Sequence, residues 1–349
     1  MIINISEVKF KVLMCTCVGF LMIDIVVYGI KKIPRPGEIT YVNKDFTVTT
    51  GGHAINVPIT LIKLGLRPSN VRVIGAVGKD LFGQYIKNII KQYGLRSDLY
   101  EPPHAGTGKN IIIVKEGEDR RFIVTTGANM KLPSNFVRDA LKKESSTITY
   151  IAMGFLGETD SKIVEIESEI KEKTILFLDF VVPPDGGEDK RREILNALKY
   201  ADILHCNNHE LRYLTKEDNL RCAARKALSM GVKVLFITLG NGGALLYAQK
   251  HEVRQKAFKV SVADPTGAGD AFSAGIIYGL LRKGVKPPFS LLELDISDLV
   301  DILTFAQAVG AAAVTGAGAT TAVSLKKVEK LLEEQRELVL KETRIRELA

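Results

Sequence analysis

The sequence predicts an α/β protein: a central, mostly parallel sheet flanked by helices, with a small β-sheet lid. Three observations point there. From Phe136 onwards, helical and strand-like stretches alternate, the pattern of parallel strands joined by right-handed crossovers. Before that series, two stretches at about 24–50 and 109–126 are β-branched, broken by polar turns, and stand outside the alternation. The 349 residues, 46% hydrophobic and 25% charged, suffice for a sizeable core and exclude wholesale disorder.

The elements follow in chain order. Residues 1–9 read as a short extension. Val12–Val18 and Ile23–Tyr28 read as strands meeting near Gly19, followed by the turn Ile33-Pro34-Arg35-Pro36-Gly37-Glu38. Thr40–Thr50 has strand character up to Gly51-Gly52, and Ala54–Leu64 then shows helical periodicity ending at Gly65. Val71–Val77 reads as strand, and Asp80 is placed to cap a helix over Leu81–Tyr93. Lys109–Val114 and Arg121–Thr126 flank the polar turn Glu116-Gly117-Glu118-Asp119. The alternating series runs helix 136–143, strand 148–153, helix 161–172, strand 174–180, helix 191–201, strand 203–206, helix 220–231 and strand 234–238. A hairpin of 243–248 and 255–260 interrupts it, and helices over 268–282, 300–314 and 325–338 follow. The reading is one domain over 12–330, with lid segments at about 24–50 and 109–126, and a helical C-terminal tail over 331–349.

Composition narrows the partners. The formal charge is +8, but its 48 basic and 40 acidic residues are interspersed, as in Lys171-Glu172-Lys173. No single-sign block marks a basic arm, so nucleic acid is not expected as a partner. Four cysteines (Cys15, Cys17, Cys206 and Cys222) are too few for a disulfide scaffold, which points to a reducing cytoplasm. Val12–Ile30 is nearly continuous apolar sequence, yet it carries Asp24. A carboxylate at membrane depth costs on the order of 3 kcal/mol, so the run reads as two buried strands, not a membrane span. Asp24 then needs a polar reason to be there.

The sharpest chemical motif is Asp264-Pro265-Thr266-Gly267-Ala268-Gly269-Asp270-Ala271-Phe272. Gly267, Ala268 and Gly269 fall where a loop becomes a helix, so backbone N–H groups can approach a ligand closely. A helix N-terminus favours phosphate. Asp270, in the first turn, could take a proton from a hydroxyl attacking a phosphoryl group. The plainer reading is a glycine-rich helix start capped by Asp264.

In this segment the chain resembles the ribokinase-like (PfkB) carbohydrate kinases. Other motifs in matching order are the Ile33–Glu38 turn, Gly51-Gly52-His53-Ala54-Ile55-Asn56, Val77-Gly78-Lys79-Asp80, Gly127-Ala128-Asn129, Asn207-Asn208-His209-Glu210 and Thr238-Leu239-Gly240-Asn241-Gly242-Gly243. The resemblance implies a ribokinase-like fold and ATP-dependent phosphorylation of a small hydroxylated substrate. It makes Asp270 the general base, with Gly267, Ala268 and Gly269 as the anion hole. Asp24, Gly51, Gly52 and Asn56 match acceptor positions, and Asn207, Thr238, Gly240 and Gly243 nucleotide positions. Glu210 matches a Mg²⁺ position acting through water, and a monovalent cation, potassium, is implied near Asp264 and Thr266. Ala311–Ala319 resembles the region flanking the adenine site. Lids in this family can pair between subunits, so a homodimer through the lid is one implied arrangement.

Departures bear on the acceptor. Met22 and His53 stand where ribokinases usually carry Asn and Lys, and Gly154-Phe155-Leu156-Gly157 lacks the expected acidic sugar contact. These argue against ribose and leave other sugars, polyols, sugar acids and nucleosides open. His53 faces either the substrate or the core. Two alternatives stand beside the sugar kinase: a nucleoside kinase and a non-catalytic sugar or nucleotide sensor.

Overall fold

Strands that are apolar on both faces must be covered on both faces, so a parallel sheet of aliphatic runs recruits helices above and below it. The computed structural model describes residues 13–348 apart from 116, 119, 183–186, 249 and 288–289, and shows that arrangement. The chain runs β1 (Leu13–Val18), β2 (Met22–Ile30), β3 (Thr47–Gly51), α1 (His53–Lys63), β4 (Val71–Ala76), α2 (Leu81–Gln92) and β5 (Arg96–Tyr100). Next come β6 (Gly108–Lys115), β7 (Arg121–Thr125), α3 (Ser134–Lys143), β8 (Ser146–Met153), α4 (Glu158–Ser161), α5 (Ile163–Ile170) and β9 (Ile175–Phe180). Then follow α6 (Glu188–Ala197), β10 (Ile203–Asn207), α7 (Asn208–Thr215), α8 (Leu220–Ser229) and β11 (Val234–Thr238). The chain closes with β12 (Ala244–Ala248), β13 (His251–Gln255), α9 (Ala268–Arg282), α10 (Ile296–Ala313), α11 (Leu325–Lys341) and β14 (Arg344–Glu347).

The large sheet has the order β14-β13-β12-β11-β10-β9-β8-β1-β4-β5. It is parallel from β5 to β11 and antiparallel from β11 to β14. One face packs on α1, α9 and α10 through residues such as Ile55, Leu61, Phe272 and Leu303. The other packs on α3, α5, α7 and α8 through Val137, Ile166, Leu211 and Ala227. Sequence order reverses at β1, which lies between β4 and β8, and ligands of such sheets bind beyond the strand carboxyl ends at that point. The smaller sheet, β3-β2-β6-β7, is separate. A bulge between Val27 and Ile30, with Gly29 at φ 75°, shifts its register.

Several elements differ from the sequence expectation. Only Thr47–Gly51 of the expected Thr40–Thr50 strand is β, because Asn43-Lys44-Asp45 breaks the β-branched run. The β5 edge strand was unmarked: Arg96-Ser97-Asp98 carries no β-branched residue and stays largely exposed. The tail is not wholly helical. Helix α11 runs unbroken across position 331, capped by Ser324, and the chain then turns back as β14 against β13. The extension over residues 1–9 and the strand start at Val12 lie outside the described residues. Helix α10 is long and apolar enough to cross a membrane, but 67% of it is buried inside the protein, against α9 and α11.

Candidate active site

Helix α9 begins where the backbone is closely packed. Gly267, its N-cap, has φ 74°, and a Cβ there would lie 2.6 Å from Ala319 Cα. Only glycine fits both demands. No side chain caps the helix; Ala268 N donates to Pro265 O at 3.3 Å, and an uncapped helix start of this kind favours an anion. Asp270 follows in the first turn, buried, its carboxyl pushed above the usual carboxylate range by burial and restrained by His53 and Asn56. Asn56 Nδ2 donates to Asp270 Oδ2 at 2.7 Å, and His53 Nε2 stands 3.3 Å from Oδ1. Both partners come from the start of α1, so this helix start meets that of α9 at one carboxylate.

The segment Ala311–Ala319 braces the loop that leads into α9 from behind. Ala263 N donates to Val314 O at 2.8 Å, and Gly318 N to Asp264 Oδ2 at 3.0 Å. Asp264 Oδ1 accepts from Thr266 N at 2.9 Å, so Asp264 acts within the loop and does not cap α9. Arg120, from the β6–β7 turn, reaches this place: Nη1 lies 2.5 Å from Thr266 Oγ1 and 3.5 Å from Asp264 Oδ1. The position assigned from sequence to a monovalent cation is thus served by a guanidinium. The two side chains as they stand do not fit a bare potassium ion.

Asp24 lies on β2, buried, with its pKa raised to about 6 by burial. Asn110 Nδ2, on β6, donates to its Oδ1 at 3.1 Å. A Cβ at Gly51 would fall 2.3 Å from the Asp24 carboxylate, and one at Gly52, whose φ is 96°, 2.3 Å from Phe20 O. The glycine pair thus makes room for Asp24 and for the β1–β2 turn. Asn129 pins that turn by bonding both Leu21 N and Leu21 O. On β2, β6 and α1 the buried atoms Tyr28 OH, His53 Nδ1, Asn56 Oδ1 and Asn110 Oδ1 have no hydrogen-bond partner among the described residues. Unpaired buried polar atoms are costly unless a ligand or water completes them.

Asn207 and Thr238 end the neighbouring parallel strands β10 and β11 in direct register. Gly240 (φ 57°) and Gly243 (φ 91°) shape the turn that follows, and a Cβ at Gly243 would strike Gln255 O at 2.0 Å. Glu210 closes a capping box with Asn207: its Oε2 accepts from Asn207 N at 2.7 Å, while Asn207 Oδ1 accepts from Glu210 N at 2.9 Å. Burial raises the Glu210 pKa to about 7. No group of three or more metal-ligating side chains occurs among the described residues. A single carboxylate, that of Glu210, fits a Mg²⁺ that arrives on a nucleotide and keeps most of its ligands as phosphate and water.

One constellation was missed from sequence. Asp179 Oδ2 is met by Tyr150 OH, His205 Nδ1 and Ser273 Oγ, each at 2.9 Å, deep beneath the start of α9. Burial would raise the Asp179 pKa, but His205 holds it below the ordinary value. The His205 ring lies 3.6 Å from where a Gly269 Cβ would sit. Asp179 stands in the apolar run Ile175–Phe180, so the argument that singled out Asp24 would have found it too.

Comparisons with known proteins bear on the family and the fold. Residues 12–326 match the family model described as pfkB family carbohydrate kinase. The chain is 30% identical over 284 residues to a ribokinase of Schizosaccharomyces pombe, covering 74% of this chain and 86% of that one. It is 29% identical to probable fructokinase-6, chloroplastic, of Arabidopsis thaliana, covering 89% of this chain and 79% of that one. A putative ribokinase II from E. coli, solved with ATP and Mg²⁺, shares the fold at TM-score 0.73 and 22% identity, over 92% of this chain and 99% of that one.

Proposed function

Because this chain belongs to the pfkB family of carbohydrate kinases, phosphotransferases with an alcohol group as acceptor, we propose that it transfers the γ-phosphoryl group of ATP to a hydroxyl of a small sugar or sugar-like molecule. The observation that carries this reading is the position of Asp270. The same residue belongs to the uncapped turn of α9 and touches the polar pocket of Asn56 and His53. An acceptor hydroxyl placed there can give its proton to Asp270 while its oxygen attacks phosphorus, and the N–H groups of Gly267, Ala268 and Gly269 receive the phosphoryl oxygens. Asp24 and Asn56, with the unpaired atoms of Asn110 and Tyr28, take the remaining hydroxyls; Gly51 and Gly52 shape the wall.

Asn207, Thr238, Gly240 and Gly243 form the nucleotide side, at the carboxyl ends of β10 and β11. Glu210 would hold Mg²⁺ through water, and the ion would offset phosphate charge. The four-stranded sheet serves as the lid that excludes water during transfer. Its exposed apolar side chains, Phe122, Ile123 and Val124 among them, suit pairing of two lids in a homodimer. We place the enzyme in the cytoplasm, where its four free thiols would persist. Neither nucleic acid nor membrane has a part in this reading.

A second reading, a nucleoside acceptor, rests on Phe20 and Phe155. Their rings meet at 5.4 Å beside His53 and offer a wall for a base. An ATP-consumption screen over hexoses, pentoses, inositol, keto-deoxy sugar acids and nucleosides tests both. Turnover with a sugar or sugar acid alone supports the first reading, and with nucleosides alone the second. No turnover with any of them overturns both.

A further inference from the structure

The kinase reading gives His53 no task, yet it lies in contact with the group that does the chemistry. Its Nε2 is 3.3 Å from Asp270 Oδ1, and Asn56, one helical turn on, holds the other carboxylate oxygen at 2.7 Å. The imidazole is fixed on its other side by Phe20, edge-on at 5.0 Å, and its Nδ1 is buried without a partner among the described residues. A ring placed only to fill the core would not need to set a nitrogen 3.3 Å from a buried carboxylate.

We propose that His53 is the positioning residue for the catalytic base: the imidazolium and Asn56 grip Asp270 from α1, so that its carboxylate stays ionised and aimed at the acceptor hydroxyl. The step itself is ordinary transfer. The hydroxyl O–H bond breaks as oxygen bonds to phosphorus, the bond from phosphorus to the bridging oxygen of ADP breaks, and the proton ends on Asp270. His53 keeps its own proton throughout. The charges that face it are Asp270 on α9, Asp179 on β9 and Glu210 on α7; burial would lower the His53 pKa, but these three hold it above its ordinary value. Asp270 in turn feels His205 and Asp179 as well as His53 and Asn56.

This rests on the proposed kinase reading, but its first test does not need a substrate. Imidazole NMR titrations of the resting enzyme, wild type and Asp270→Asn, should show the His53 resonance titrating lower in the variant by about one pH unit or more, the coupling expected for opposite charges in contact. Identical titration in the two proteins overturns the proposal. The second test uses His53→Gln and His53→Lys with the acceptor identified in the screen. The Gln variant should move the acid limb of kcat/KM upward by about one pH unit and lower kcat at neutral pH, with KM for ATP unchanged. The Lys variant should restore the limb. A merely structural His53 predicts lowered melting temperature in both variants and no movement of the limb, which overturns the proposal. If no acceptor turns over, the kinase reading fails, while the NMR coupling still decides whether His53 grips Asp270.

Discussion

The start of α9 and the four-stranded sheet supply the two halves of the proposed site, and opposite means hold them in place. Around α9 two buried carboxylates already have protein partners: Asp264 has Thr266, Gly318 and Arg120, and Asp179 has Tyr150, His205 and Ser273. On the sheet side, Asp24 has one side-chain donor, and Tyr28, Asn56 and Asn110 each leave a buried atom unpaired. Packing differs in the same sense. Every residue of β4 and β9 is buried, whereas every residue of β7 is exposed. The carboxylates Asp264 and Asp179 of the first half are held by several protein donors, whereas Asp24 of the second has one side-chain donor. Damage to the first should therefore appear as lost turnover, and damage to the second as lost affinity.

The largest expected effect breaks the first half. Asp270→Asn keeps the size of the side chain and the helix start, and should lower kcat by a factor of about 10²–10⁴. Melting temperature measured on the same preparation should hardly move. Wild-type turnover in this variant would remove Asp270 from the mechanism.

Asp24→Ala probes the second half. It should weaken acceptor binding by about 1.5–3 kcal/mol for each hydrogen bond lost to the carboxylate, leaving ATP affinity as it was. Calorimetry that finds equal losses for both ligands erases the division between the halves.

A stability measurement sharpens the contrast. Burial holds the Asp24 pKa at about 6, above its unfolded value, so the folded state binds the extra proton between about pH 4 and 6. Stability from this group is therefore present at low pH and falls as pH rises through that window. Asp24→Asn removes the loss and should gain on wild type by about 2–3 kcal/mol between pH 4 and 7. A constant gap in urea denaturation across that range would show that Asp24 carries no such penalty.

The smallest effect concerns the cation. With Arg120 on Asp264 and Thr266, exchanging potassium for sodium at fixed ionic strength should leave the rate unchanged, whereas Arg120→Ala should acquire a potassium requirement. A potassium-dependent wild type would show that the arginine leaves during turnover.

What could be read from the chain followed from how local each signal was. The alternation after Phe136 reports on neighbours in sequence, and Gly267–Asp270 is a single turn whose chemistry is written in consecutive residues. His53 remained ambiguous because its meaning depends on Asp270, 217 positions away along the chain (270 minus 53). Tyr150, Asp179, His205 and Ser273 come from three strands and a helix, and no spacing rule joins them. Arg120 was hidden for the same reason. A turn residue flanked by charges reads as solvated until the fold carries it to Thr266.

The last strand has a practical consequence for handling the protein. Arg344–Glu347 covers the open edge of His251–Gln255 and shows the solvent the charged side chains of Arg344, Arg346 and Glu347. Uncovered, β13 would offer a row of unpaired N–H and C=O groups, the template on which sheets from different molecules stack. Truncation after Lys341 should therefore leave the catalytic machinery intact yet make concentrated samples self-associate, and affinity tags belong elsewhere than on this strand. A short strand with charged side chains thus acts as a guard against fibre growth.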